Sequence, residues 1–197
     1  MSSTPLTDTQ GARLLRLARE SIAEALGGAR CEHPDDAWAY LPAATFVTLR
    51  HPDGDLQGCI GSLEPRRALS DDVAQNAIAA ALHDPRATRI DLPDVELLSV
   101  EVSLLGPLER IEHTSEETAI AALRPGIDGV VVKWQGMRGT LLPQVWESLP
   151  DPREFLEHVK LKANLPPTFW APDVEVYRYG LQKWIDAPSA HLRAEPS

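Results

Sequence analysis

Cys59 stands between two glycines in the stretch Leu56-Gln57-Gly58-Cys59-Ile60-Gly61. A thiolate is a strong nucleophile and a redox centre. Glycine has no Cβ and lets a ligand or another backbone come close. These residue types in this order suit thiol chemistry on an extended segment, with Gly58 and Gly61 leaving space and Gln57 able to hydrogen-bond a substrate. The competing reading is a structural thiol, because free cysteine is among the most buried residue types. Glu101 lies mid-strand between Ser99 and Ser103, opposite an apolar face. A carboxylate there does acid–base work if partly buried, or else belongs to the wetted side of a sheet. Arg86, in Asp84-Pro85-Arg86, either pairs with Asp84 to fix a corner or grips a carboxylate or phosphate with its planar fork. Gln144 follows Leu-Leu-Pro, where Pro143 breaks strand pairing. Its side chain then lines a cleft or satisfies nearby backbone groups.

Other chemistry is not suggested. Cys31-x-His33 offers two ligands where zinc needs three or four, so no metal is expected. Neither a phosphate loop nor a dinucleotide fingerprint is present, and no motif calls for a cofactor. His83 falls at a helix end, where the dipole favours its charged form.

The elements that must position these residues can be read in order. Thr7 and Asp8 open a helix over about 8–26, with Leu14, Leu15, Ala18, Ile22 and Leu26 at helical spacing and Gly27-Gly28 stopping it. Thr45–Arg50 is a strand, His51-Pro52-Asp53-Gly54-Asp55 is turn chemistry, and the Cys59 segment returns antiparallel. Strict alternation puts Gln57, Cys59 and Gly61 on one face. Ser70 is the expected cap of the next helix, which must end at His83 because Pro85 disfavours helical geometry at Asp84. Leu97–Leu105 reads as a strand, Thr114-x-x-Glu117 as a capping box, and 129–134 and 140–142 as paired strands around a turn over 135–139. Asp151-Pro152-x-Glu154 opens a helix, Asn164 closes it, and 174–179 alternates as a last strand. Helices and strands mix without a βαβ repeat, which predicts an α+β fold with a mixed, mainly antiparallel sheet. The segment 187–197 reads as a disordered tail.

Composition bounds the function. The 197 residues are 43% hydrophobic and 24% charged, which fits a globular protein with one sizeable core. A net charge of −10 argues against nucleic acid as a partner. There is no apolar run of membrane-spanning length and no basic segment leading into an apolar one, so a cytoplasmic protein is expected, with its two cysteines reduced.

Six stretches in register carry a family resemblance. They are Leu56–Gly61, Asp84-Pro85-Arg86, Ser99–Leu105 with Gly106-Pro107, Gly126-Ile127-Asp128-Gly129, Gly139–Val145, and Lys160–Leu165 with Trp170. Together they cover roughly 45–180, and the sequence resembles the AMMECR-one domain family, also called AmmeMemoRadiSam system protein A. The resemblance implies one domain over 1–186 in two lobes, the smaller formed by a central segment. It also implies association with a Memo-like protein and a radical-SAM enzyme. The chain departs from the family pattern at Gln57 (commonly Arg), Ala87 (usually a bulky aromatic) and Asn164 (usually Gly). Two function classes follow. One is an enzyme or enzyme accessory with thiol chemistry at Cys59, aided by Glu101, Gln57, Arg86 and Gln144 on a small-molecule ligand. The other is a non-catalytic binding module in which Trp134, Trp146, Trp170 and Tyr177 supply contacts.

Overall fold

The computed structural model describes residues 5–186, so the expected tail over 187–197 lies outside the described residues. Its elements in chain order are α1 (Asp8–Ala25), β1 (Pro42–Ala43), β2 (Thr45–Arg50), β3 (Leu56–Gly61), β4 (Arg67–Ala68), α2 (Leu69–Leu82) and β5 (Ser99–Leu105). There follow β6 (Glu109–Arg110), α3 (Glu116–Ala121), β7 (Gly129–Trp134), β8 (Met137–Leu141), α4 (Pro152–Lys162), β9 (Glu175–Tyr179) and β10 (Leu181–Asp186). Helices combine with mainly antiparallel sheets, which is an α+β fold.

The chain forms two compact units. Among the described residues, one is Gly106–Leu181 and the other joins 5–105 to 182–186. In the latter, four strands run β10-β5-β2-β3, and α1 and α2 pack on one face. That packing follows from alternation. Val47, Leu49, Val100 and Val102 point to the helices and are fully buried with Leu14, Ala18, Ile22, Val73 and Ala77. Thr7 caps α1 through a reciprocal pair with Gln10.

α2 departs from expectation. It begins at Leu69 with Ala68 as N-cap and no side-chain cap, because Ser70 donates instead to the Ala39 carbonyl. Asp72, one turn in, holds its position by other means. Its carboxylate, only 1% exposed, accepts from the Thr45 N–H and hydroxyl, Asn76, Ser62 and the Arg67 guanidinium. One buried carboxylate thus ties the start of α2 to the start of β2 and to the chain leaving β3.

In the Gly106–Leu181 unit the order is β6-β9-β7-β8, with α3 and α4 over a core of Val130, Val132, Phe155, Leu156, Val159 and Val176. Trp146 stacks on Phe155 at 3.7 Å and is core, not surface. The β7–β8 turn needs only Gln135 and Gly136, both at positive φ. Gly139, expected in that turn, is in β8, where a Cβ would meet the α4 backbone at Val159 O, 2.2 Å away. The helix cap expected at Thr114 shifts by one residue, with Ser115 accepting from the Thr118 N–H. Asp151 caps α4 as its sequence implies. Asn164, standing where the family pattern has Gly, adopts φ +59° just past α4, the left-handed position in which Asn is the best-tolerated non-glycine residue.

Candidate functional site

The centre of the site is a row across the sheet. β2 is an inner strand, and Thr48 lies directly opposite Cys59 on β3 and opposite Glu101 on β5. All three side chains therefore share the face turned away from α1 and α2. The Thr48 hydroxyl oxygen is 3.1 Å from the Cys59 sulfur. Lys183 on β10 extends the row, its ammonium 3.5 Å from the Glu101 carboxylate, and the Ser103 hydroxyl donates to the same carboxylate at 3.4 Å. Cys59, Thr48 and Glu101 are each half-buried. The row can hold a thiol, a hydroxyl and a carboxylate in sequence, the groups needed to take up and return a proton beside a nucleophile.

β3 is an edge strand, and its free edge is closed beside the sulfur. The Cys59 N–H donates to Asp84 Oδ2 at 2.8 Å. Asp84 follows α2 and is almost fully buried. The same carboxylate accepts from the Arg86 N–H at 2.9 Å, from Arg86 Nε at 2.9 Å and from Nη2 at 2.7 Å. The Arg86 fork first, then the two backbone donors, hold the Asp84 carboxyl well below the usual carboxylate range. The sign for stability follows. A carboxylate whose pKa falls on folding adds stability that is complete above its unfolded pKa, about 4, and is lost as pH drops through the folded value. Asp84→Asn should therefore be less stable than wild type at pH 7, with the gap closing on acidification below about pH 4. Denaturant melts across that range check it, and a gap independent of pH would contradict it.

Several expectations at the site are corrected. Alternation placed Gln57 beside Cys59, but the β2–β3 register shifts between Leu49 and Arg50, pairing Leu49 with Gly58 and Arg50 with Leu56. The extra residue at this bulge is Gln57, so its side chain turns to the helix side. There it is fully buried, donating to the Ala81 and Thr88 carbonyls and accepting from the Thr88 hydroxyl and the His51 ring. Since Gln57 Nε2 is committed to two carbonyls, Oε1 is the acceptor and His51 Nε2 carries the hydrogen. Gly58 does not open space for a ligand. A Cβ there would lie 2.0 Å from the Ala80 carbonyl oxygen, so the glycine lets α2 approach the strand. The space at Gly61 is filled by the Phe46 ring, 2.3 Å from a notional Cβ. The expected Asp84–Arg86 pair is present, with Arg86 committing Nε and Nη2 to it while its side chain stays 59% exposed. Gln144 is exposed on a 3-10 turn of the Gly106–Leu181 unit. Among the described residues no group of three or more His, Cys, Asp or Glu side chains could hold a metal ion.

Sequence reasoning passed over Thr48 and over one contact of Asp84. Counting back across the 51–55 turn from Cys59 reaches Val47, and only the extra residue Gln57 brings Thr48 opposite the sulfur. The contact of Asp84 with the Cys59 N–H left no sign either, because nothing local links a helix-end carboxylate to a strand N–H 25 positions earlier.

The model of the AMMECR1 family matches residues 15–184, most of the chain and all of this row. The chain belongs to the AMMECR1 family. An AMMECR1-type protein of Methanothermobacter thermautotrophicus is 38% identical over 195 residues, covering 92% of this chain and 97% of its own. Protein MK0488 of Methanopyrus kandleri is 36% identical, with 90% and 88% covered. The crystal structure of uncharacterized protein PH0010 from Pyrococcus horikoshii matches with a TM-score of 0.78 at 35% identity, over 93% of this chain and 95% of that one. These likenesses bear out the AMMECR-type fold expected from the six stretches. No helix among the described residues is long and apolar enough to cross a membrane.

Proposed function

We propose that this AMMECR1 protein is a cytoplasmic accessory of a system containing Memo-like and radical-SAM proteins, and that it contributes thiol chemistry at Cys59. What supports the chemical part is the cross-strand row: Cys59 is half-buried, has a hydroxyl 3.1 Å from its sulfur, and shares its sheet face with Glu101. In this reading Cys59 is the nucleophile, Thr48 orients the sulfur, and Glu101 manages the proton while Lys183 fixes its carboxylate. Glu101 reaches the sulfur through Thr48 or a bound substrate.

A non-catalytic binding module is the second reading. It draws on the fact that Gln57, Gly58 and Gly61, expected to serve a ligand, are engaged by the protein itself. Iodoacetamide separates the two. The thiol reading expects native protein to be alkylated at Cys59, mapped by peptide mass spectrometry, and Thr48→Val to slow the rate about threefold to tenfold, the worth of one hydrogen bond to the reacting atom. Labelling confined to denatured protein would leave only the binding module.

A further inference from the structure

Arg86 has a second edge that the fold leaves unused. Asp84 takes Nε and one hydrogen of Nη2, while Nη1 and the outer hydrogen of Nη2 have no partner among the described residues. That end of the guanidinium is a flat pair of donors, the arrangement that accepts a carboxylate bidentately. Its position is set by the site. A single oxygen, Asp84 Oδ2, accepts both the Cys59 N–H at 2.8 Å and Arg86 Nη2 at 2.7 Å, so the guanidinium stands at the rim of the strand beside Cys59. The side chain is preorganised by a buried carboxylate yet 59% exposed, so little ordering is required when a ligand arrives. The neighbouring charges do not cancel this preference, because Glu101 is paired with Lys183. Position 57, where the family pattern has a cation, points to the helix side here, and Arg86 stands at the strand edge through the carboxylate that also holds the Cys59 N–H.

We infer that the Cys59 site receives a small carboxylate-bearing molecule, its carboxylate docked on the free edge of Arg86 and its reactive carbon presented to the sulfur. This inference rests on the thiol reading above and names its substrate class. The probe pair iodoacetate and iodoacetamide tests it on the full chain. In both, the sulfur forms a bond to the CH2 carbon, iodide leaves and the thiol proton goes to solvent. The two differ in that only iodoacetate carries a carboxylate. The readout is the ratio of the two rates at Cys59, which removes any effect of a variant on the intrinsic reactivity or access of the thiol.

Arg86→Gln should lower the iodoacetate-to-iodoacetamide ratio about threefold to tenfold, the range for one nearby charge at high effective dielectric. Arg86→Lys should keep part of the preference, holding the charge and losing the fork. Raising the salt should shrink the wild-type preference. A ratio unchanged in Arg86→Gln, with both probes still labelling Cys59, overturns the carboxylate assignment and leaves the thiol reading standing. Failure of both probes on native wild type overturns the thiol reading, and this inference with it.

Discussion

Asp72→Ala should destabilise the unit that carries Cys59 by about 3–5 kcal/mol, the cost of stripping one partner from a buried charged network. The two Asp72 oxygens divide the work. Oδ2 serves the Thr45 N–H at 2.8 Å, the Thr45 hydroxyl at 2.7 Å and Asn76 at 3.0 Å. Oδ1 serves Ser62 at 2.7 Å and Arg67 at 3.0 and 2.7 Å. Removal strands the buried Thr45 N–H and takes the acceptor from the Thr45 hydroxyl, while the Asn76 amide keeps the Thr45 carbonyl. For a chain of this size 1 kcal/mol moves the midpoint by about 2–4 °C, so a fall on the order of 10 °C is expected. Asp72→Asn should fall between, since it keeps one acceptor but turns an NH2 group toward donors. A loss below about 1 kcal/mol for Asp72→Ala would show that the network is replaceable by solvent.

Asp72 also marks where sequence reading stops. With Ser70 as the expected cap, Asp72 falls in the first turn of a helix, where an acidic residue suits the dipole. Its actual partners, Thr45 and Ser62, belong to segments whose approach only the finished fold dictates. The β2–β3 hairpin was legible because His51-Pro52-Asp53-Gly54-Asp55 specifies a reversal locally, and Gly54 takes the positive φ that the turn requires. The shared face of Cys59 and Glu101 follows from apolar alternation, Ile60 on β3 and Val100 and Val102 on β5 turning to the helices, and not from counting across the turn, which the bulge offsets by one. Gln57 was misplaced for a definable reason: one extra residue at Leu49/Arg50 inverts the parity of every residue before it on β3. A glycine inside a strand is a known sign of a bulge, and Gly58 was that sign. β10 had no such sign. Leu181–Asp186 joins a sheet whose other strands precede the whole Gly106–Leu181 unit, and neighbouring sequence cannot announce so remote a pairing.

Gly58→Ala should cost about 3 kcal/mol or more, at the upper end for overpacking, because the added methyl meets backbone that cannot rotate away. The notional Cβ lies 2.0 Å from the Ala80 carbonyl oxygen and 3.0 Å from its carbon, with the Asp84 Cβ at 2.9 Å. Relief requires α2 to lift from β3, which would lengthen the Cys59 N–H contact to Asp84 and loosen the Arg86 fork. The two roles open to this glycine give opposite patterns. A residue kept small for ligand access would show an unchanged melting midpoint and slower alkylation of Cys59. A residue kept small for helix approach would show a clear fall in the midpoint, with alkylation by iodoacetamide unchanged or faster as the edge of β3 loosens. The geometry supports the second pattern. A stable Gly58→Ala protein with a protected thiol would return the glycine to the ligand side and call for a different account of how α2 meets the sheet.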